Sequence, residues 1–441
     1  MNQVSRGMSK YKRYPAYKDS GVEWIGEVPD GWEVKPICRV ASCNDDALSE
    51  NTPADAVLRY VDISAVNHAD GITQVTEVRF ADAPSRARRQ AKSGDVVVST
   101  VRTYLKAVAA VTEDYAGCIY STGFAVLRAR SAQVDPAFLK WMALNNLLIQ
   151  AIEAHSEGLS YPAINATELV KLKAVVPPPA EQSTIAAFLG RETTRIDALI
   201  AKKTRFIELL KEKRQALITH AVTKGLDSNV KMKDSGVEWI GGVPEHWKIA
   251  PLWSVYRPVK RIGFTDEPLL SVYRDYGVVL KASRDDNRNR ASDDLGPYQL
   301  VEPGQLVTNK MKTWQGSIAV SEFRGIVSPA YFIYEPIRNV FGRFIHHLMR
   351  CGPYITGYMS ISKGIRVGQW DLDPDHFRVF PVLFPPKKEQ ERIVAFLDRE
   401  TTRIDALTAK TQCSIDLLKE RRSAFITAAV TGQIDLRGEI A

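Results

Sequence analysis

Two long stretches of the chain carry apolar residues in a narrow stripe at 3.5-residue spacing: Leu189, Ile196, Leu199, Leu210 and Leu217, then Leu397, Ile404, Leu407, Leu418 and Phe425. Prolines precede each stretch and a glycine ends it, which predicts one helix from Ala180 to about Thr223, before Gly225, and a second between Pro386 and Gly432. Helices of ~40 residues would be ~60 Å long at 1.5 Å per residue. Elsewhere the pattern shortens to strands. Val96–Ser99 and Ala107–Val111 flank a loop; Phe124–Leu127, Tyr331–Tyr334 and KLKAVV (171–176) are further strands. Asp135-Pro136 opens a helix, an N-cap followed by Pro at N1, with Phe138, Trp141, Met142 and Leu148 on its buried face.

The chain repeats itself. KDSGVEWIGEVP (18–29) returns as KDSGVEWIGGVP (233–244), and Trp32 is answered by Trp247. RETTRIDAL (191–199) returns unchanged at 399–407, and ITHAVT (218–223) as ITAAVT (426–431). Nine identical residues twice mark a duplication. Two near-identical stripes in one chain are expected to pair as an antiparallel coiled coil, so the ten stripe residues are the candidates for helix pairing. The predicted fold class is α+β, with two pseudo-twofold-related α/β domains separated by two long antiparallel helices. The expected boundaries are a tail at 1–17, a first variable domain at 18–179, a helical spacer at 180–226, a second variable domain at 227–386 and a C-terminal helical region at 387–441.

The variable domains share a substructure. GDVVVSTVRTYLKAVAAV (94–111) lies without gaps over GQLVTNKMKTWQGSIAVS (304–321). At the loop, Arg102-Thr103-Tyr104 faces Lys312-Thr313-Trp314, so both copies hold a basic residue, a Thr and an aromatic. A guanidinium or ammonium reaches phosphate or a guanine edge, a Thr hydroxyl donates to phosphate, and an aromatic stacks. Thr100, Arg102, Thr103, Tyr104 and Lys106, with Lys310, Lys312, Thr313, Trp314 and Gln315, are therefore DNA-binding candidates. A second loop, SEGLSYPAIN (156–165) against SKGIRVGQWD (362–371), adds Ser160, Tyr161, Lys363 and Arg366. Arg86, Arg88 and Arg89, and the stretch SRDDNRNR (283–290), are more ordinary as solvated loops, although the first could grip phosphates.

Composition narrows the class. With 45% hydrophobic and 25% charged residues the chain is globular, and its net charge of +8 suits a polyanionic partner. Nine Lys/Arg against four Asp/Glu between Arg191 and Lys224 place part of that surplus on the first long helix. Five scattered cysteines (Cys38, Cys43, Cys118, Cys351, Cys413) outside any CxxC read as reduced cytosolic thiols. No run approaches a membrane span or a signal peptide, so a soluble cytoplasmic protein without membrane contact is expected. Catalytic signatures are missing: no phosphate-cradling GxxxxGK[ST], no GxGxxG after a strand, no Asn/Asp-Pro-Pro-aromatic motif of an amino-methyltransferase, no HExxH. Pro29-Asp30 with Glu33 and Lys35 is spaced too closely for a PD-(D/E)xK nuclease, and the second copy lacks it. No catalytic or metal-binding residue is assigned. A stand-alone enzyme and a stand-alone DNA-binding or scaffold protein are the rival classes.

From Lys10 onward the sequence resembles the specificity subunits of type I restriction–modification systems. The likeness is carried by KYKRYPAYKDSGVEWIGEVPDGWEV, its second copy at 233–248, and the paired proline–EQ–helix blocks ending in RETTRIDAL. The resemblance implies two target recognition domains, in 38–176 and 253–383, each reading half of a split double-stranded DNA sequence. It implies helices that act as spacer and dock two methyltransferase subunits, through which restriction/translocase subunits join, and so makes the ten stripe residues candidates for partner docking as well. It further implies that the chain itself is non-catalytic and without cofactor, with S-adenosylmethionine, ATP and Mg used by the partners, in a bacterial or archaeal cytoplasm. Unlike readers in the two halves predict an asymmetric bipartite target.

Overall fold

The computed structural model describes residues 11–284, 291–366 and 369–438. The chain forms two compact units, one made of residues 1–204 and 412–441 and the other of 205–411. The cut passes through both long helices, Pro179–Lys224 and Lys387–Val430, so each unit owns the start of one and the end of the other.

In unit 1 the first long helix begins where Gln182 donates to Pro177 O at 2.8 Å, tying the proline turn to the helix; Gln390 repeats this with Pro385 O at 2.8 Å in unit 2. Ile185, Phe188, Leu189 and Ile196 then share one core with Phe425, Ile426, Ala429 and Val430 of the second helix. Phe188 meets Phe425 at 6.2 Å between ring centroids, and further along Asp197 meets Arg422 at 3.1 Å, so the two segments run antiparallel. Unit 2 repeats the arrangement. Arg214 donates to Asp405 at 3.0 Å, and Leu217, Ile218 and Val222 pack with Ile393, Val394 and Leu397.

The stripe is covered unevenly. Leu189, Ile196, Leu210, Leu397, Ile404 and Phe425 are buried and Leu217 and Leu418 partly so. Leu199 and Leu407 depart from the expectation for helix pairing, being 41% and 40% exposed. They occupy equivalent places in the two copies, on the side of each helix turned away from the core: the next residue, Ile200, packs against the unit 1 core.

The sheet of unit 1 that carries the candidate loop has four antiparallel strands. They are β1 (Ala41–Cys43), β2 (Val96–Ser99), β3 (Val108–Ala110) and β4 (Phe124–Ala129), in the order β3-β2-β4-β1. Unit 2 has the same sheet in β5 (Tyr256–Val259), β6 (Leu306–Asn309), β7 (Ile318–Val320) and β8 (Tyr331–Pro336), in the order β5-β8-β6-β7. The registers agree: Val96 faces Ala110 as Leu306 faces Val320. One face of each sheet is covered by helices, α1 (Pro136–Ala143) and α2 (Asn146–Ala154) in unit 1, α3 (Gly342–Met349) and α4 (Gly352–Ser360) in unit 2. Asp135 caps α1 as expected, accepting from Ala137 N at 2.8 Å. The single helix expected there is broken, however: Asn145 caps a second one, so Leu148 packs from α2.

Beside this sheet the units diverge. Unit 1 has a second four-stranded sheet that includes a parallel pair, Val57–Val61 with Ile119–Ser121; unit 2 has two separate two-stranded ladders, Leu270–Tyr273 with Gly277–Leu280 and Gln299–Val301 with Gly325–Val327.

The segment expected as a tail is folded from Tyr11 on. Tyr11 and Tyr14 are buried, and the Tyr11 ring stands edge-on to Phe188 at 5.5 Å and to Phe425 at 5.8 Å. The repeated opening motif pairs Tyr17–Asp19 with Glu27–Pro29, and Met232–Asp234 with Gly242–Pro244, and buries Trp32 and Trp247. Each tryptophan receives the end of a long helix. Gly432 (φ +72°) sits so close that a Cβ would strike Pro29 and Trp32; at Gly225 (φ +79°) it would lie 3.4 Å from Trp247. The left-handed conformation and the close approach both call for glycine.

Candidate nucleic-acid interface

In unit 1 the loop between β2 and β3 turns through a short 3-10 segment, Thr103–Leu105. Arg102 and Lys106, which bracket it, have φ of 51° and 52°, two of three non-glycine residues with positive φ among the described residues. At the position matching Lys106 the second copy uses Gly316 (φ 96°). Holding charged side chains in a conformation that favours glycine costs of order 1 kcal/mol each, a strain that accumulates at functional loops. Arg102 and Tyr104 point outward, with Tyr104 47% exposed.

The second loop comes up beside the first. Val101 bridges to Ala163, Ile164 N donates to Thr100 O at 2.8 Å, and the Arg102 guanidinium lies over the Tyr161 ring, 5.1 Å from its centroid. Tyr161 is 65% exposed, and Ser160 beside it is exposed too. The result is an exposed cation–aromatic pair drawn from two loops. Such a pair presents a guanidinium plane to phosphate or to a base edge.

Unit 2 builds the same place with other side chains. The loop turns through Thr313–Gln315, leaving Lys312 and Gln315 exposed. Trp314 packs on Trp370 of the second loop, rings 5.1 Å apart and tilted by 31°, and donates its indole N–H to Met311 O at 3.0 Å. Leu372 N donates to Lys310 O at 2.9 Å and ties the loops together. A cleft of about 440 Å³ beside them is lined by Asn309, Lys312, Gln315, Ser317 and Tyr331 among others.

Several candidates are placed elsewhere than a nucleic-acid contact requires. Thr103 and Thr313 are buried, and neither hydroxyl faces solvent. Thr313 bonds to Thr308 and to Asn309 O, whereas Thr103 Oγ1 is buried with no hydrogen-bond partner. Thr100 is buried and donates to Gly123 O at 3.0 Å. These threonines hold the loop's base, because the short turn folds its small polar residue inward. Lys310 is tethered, donating to Pro329 O at 2.8 Å over the Phe332 ring. Lys106 reaches toward Glu153 at 3.8 Å and Lys363 pairs with Asp373 at 3.3 Å; both remain exposed enough to exchange partners. The Arg366 side chain and residues 285–290 of SRDDNRNR lie outside the described residues. The arginine group at 86–89 is largely spent on its own domain: Arg86 pairs with Asp62 at 2.7 Å and Arg88 lies over Phe80.

The residue that the sequence reading missed is Trp370. An aromatic in a polar, glycine-bearing loop was the available signal, but only the fold shows that it meets Trp314. Among the described residues no group of three or more His, Cys, Asp or Glu is placed to hold a metal ion, and no helix is long and apolar enough to cross a membrane.

No family model matches the chain. It is 24% identical over 208 residues to the type I restriction enzyme EcoKI specificity subunit of Escherichia coli (strain K12), the alignment covering 44% of each chain. It is 23% identical over 235 residues to the putative type I restriction enzyme MjaX specificity subunit of Methanocaldococcus jannaschii, covering 52% of this chain and 53% of that one. The chain thus spans about half the length of the curated relatives it matches. Among solved structures, a chain from work on the complex assembly and conformational transition of the type I R-M system matches over 92% of this chain and 99% of its own, with TM-score 0.64 and 21% identity. The chain has the fold of a type I specificity subunit. The HsdS subunit from Thermoanaerobacter tengcongensis agrees, with TM-score 0.50, 22% identity and coverage of 92% and 98%. The resemblance to type I specificity subunits carried by the opening motif and the helix blocks is therefore present in sequence and in fold.

Proposed function

We propose that the chain is the DNA sequence-specificity subunit of a type I restriction–modification complex and is not itself an enzyme. Each unit reads one half of an asymmetric bipartite target. The observation that supports this best is the repeated meeting of two loops on two like sheets with unlike side chains, Arg102 over Tyr161 in one and Trp314 on Trp370 in the other. A shared scaffold with diverged tips suits two readers of different sequence. Phosphate contacts supply affinity that falls with salt, and a few side chains at base edges supply the choice of sequence.

The long helices set the gap between half-sites and dock two methyltransferase subunits, through which restriction/translocase subunits join. Exposed Leu199 and Leu407, equivalent in the two copies, are the proposed docking contacts. S-adenosylmethionine, ATP and Mg are used by those partners, in the cytoplasm of a bacterium or archaeon. The test is methylome sequencing of cells expressing the chain with its methyltransferase. Two different half-sites separated by a constant gap are expected; a palindromic or continuous motif, or no sequence preference, would refute the reading.

A further inference from the structure

In unit 1 a cavity of about 610 Å³ opens between α1, the β3 edge of the sheet and segments of the two long helices. Its wall holds three cations, Lys140, Lys419 and Arg422, and two carboxylates, Asp70 and Asp197. Arg422 is only 16% exposed; its Nε lies 3.1 Å from Asp197 Oδ1 but is not aligned to donate, so that buried N–H makes no hydrogen bond. Lys140 makes no ion pair among the described residues. Its ammonium rests over the Trp141 ring, 4.4 Å from the centroid; burial and then the charge of Arg422 push its pKa down, against the opposing pull of Asp197. His68 closes one side, hydrogen-bonded through Nε2 to Leu144 O at 3.0 Å and kept neutral by burial. Lys106 of the candidate reading loop is close enough to His68 to disfavour its charged form further.

The corresponding place in unit 2 is a cavity of about 570 Å³ between α3 and β7, and its chemistry is different. Its arginine, Arg343, is bound bidentately by Asp398 at 2.7 and 2.8 Å. His346 and His347 are held neutral by burial, and Phe323 and Phe341 add apolar wall. Both units thus have a void beside the strand that follows the reading loop, but in unit 1 its wall sets three cations against two carboxylates, with Arg422 paired to Asp197, whereas in unit 2 Arg343 is matched by Asp398. Asp197 faces both Arg422 and Lys140 and offsets part of their charge, but it leaves the Arg422 Nε–H without a hydrogen bond and the wall with one cation in excess, which a further anion can meet. Two ammonium groups and one guanidinium edge suit an acceptor with several oxygens.

We propose that the unit 1 cavity binds a phosphate group through Lys140, Lys419 and Arg422. The phosphate comes either from the backbone of a duplex leaving the reading loop past Lys106 or from a free phosphate compound. The first source rests on the DNA reading proposed above.

The test uses the full chain and two variants, Lys140→Met and Lys419→Gln, the second on an exposed helical position where folding is not at stake. Each is titrated with inorganic pyrophosphate by calorimetry, and with target and random duplexes over a range of salt. Pyrophosphate binding is expected to weaken about tenfold or more in each variant. If the source is duplex backbone, the slope of log affinity against log salt also falls by about 0.9 per lost contact, equally on both duplexes. Loss of pyrophosphate binding with an unchanged slope assigns the site to a free phosphate compound; a lowered slope without pyrophosphate binding assigns it to the backbone. Pyrophosphate binding and slope that match the unaltered chain in both variants overturn the proposal. An unaltered chain that binds no duplex defeats the DNA reading, and the pyrophosphate titration then decides the cavity by itself.

Discussion

Trp32 donates its indole N–H to Glu181 Oε2 across 3.1 Å, and Trp247 repeats the contact with Glu389 Oε1 at 3.0 Å. The tryptophan closes the opening motif and the glutamate begins the long helix, so one hydrogen bond joins the two most strongly repeated stretches of each unit. Tyr14 donates to the same Glu181 oxygen at 2.7 Å. Glu181→Leu leaves the buried Trp32 N–H and the Tyr14 hydroxyl without their acceptor. A loss of about 2 kcal/mol or more of unfolding free energy is expected, with most of it kept in Glu181→Gln. Denaturant unfolding of both variants checks this; equal stability of Glu181→Leu and the unaltered chain would show that the pair is incidental.

The two reading tips act on different half-sites. Arg102→Ala is expected to relax or weaken recognition of one half-site by about 1–3 kcal/mol, and Trp314→Ala to affect the other. Binding to duplexes mutated in one half-site at a time separates the effects. A uniform loss over both halves would mean that Arg102 is no reader.

The buried Thr103 hydroxyl lacks a partner. Thr103→Val, which removes the unsatisfied group and keeps the shape, is expected to leave DNA affinity unchanged. It should be neutral or stabilising by about 1 kcal/mol. A drop in affinity at normal stability would restore Thr103 as a phosphate contact.

Burial holds the pKa of His346 down to about 3 and of His347 to about 4, with the charge of Arg350 as the next cause. The unfolded chain takes up these protons near pH 6.5, whereas the folded unit resists them. Stability is therefore complete above that pH and declines as pH falls from about 6.5 toward 4, by up to about 1.4 kcal/mol per pH unit for each histidine. Urea titrations at pH 7 and pH 5 should show the decline, and His347→Gln should flatten it.

Inserting one heptad into each long helix keeps the apolar stripe in phase and adds ~10 Å of helix. The gap in the methylated motif is expected to grow by about 3 bp, at ~3.4 Å per base pair. An active complex with an unchanged gap rules out the helices as the ruler.

Sequence by itself determined the features that depend on local period and on the repeat. Apolar residues at 3.5-residue spacing make a helix wherever they are buried, and two short apolar runs between Gly94 and Val111 make strands flanking a loop, so both long helices and the pair β2 and β3 were legible. The duplication made the same reading twice. Tertiary structure alone decided which side chains face outward and which distant segments meet. Thr103 and Arg102 are neighbours in sequence, yet the turn buries one and exposes the other. Trp314 and Trp370 become partners because α3, α4 and the strand after them return the chain to the loop. The same holds for Leu199 and Leu407, which are exposed although the spacing puts them in the same stripe as buried Ile196 and Ile404. Burial is a property of the surrounding chain, and no spacing within a segment encodes it.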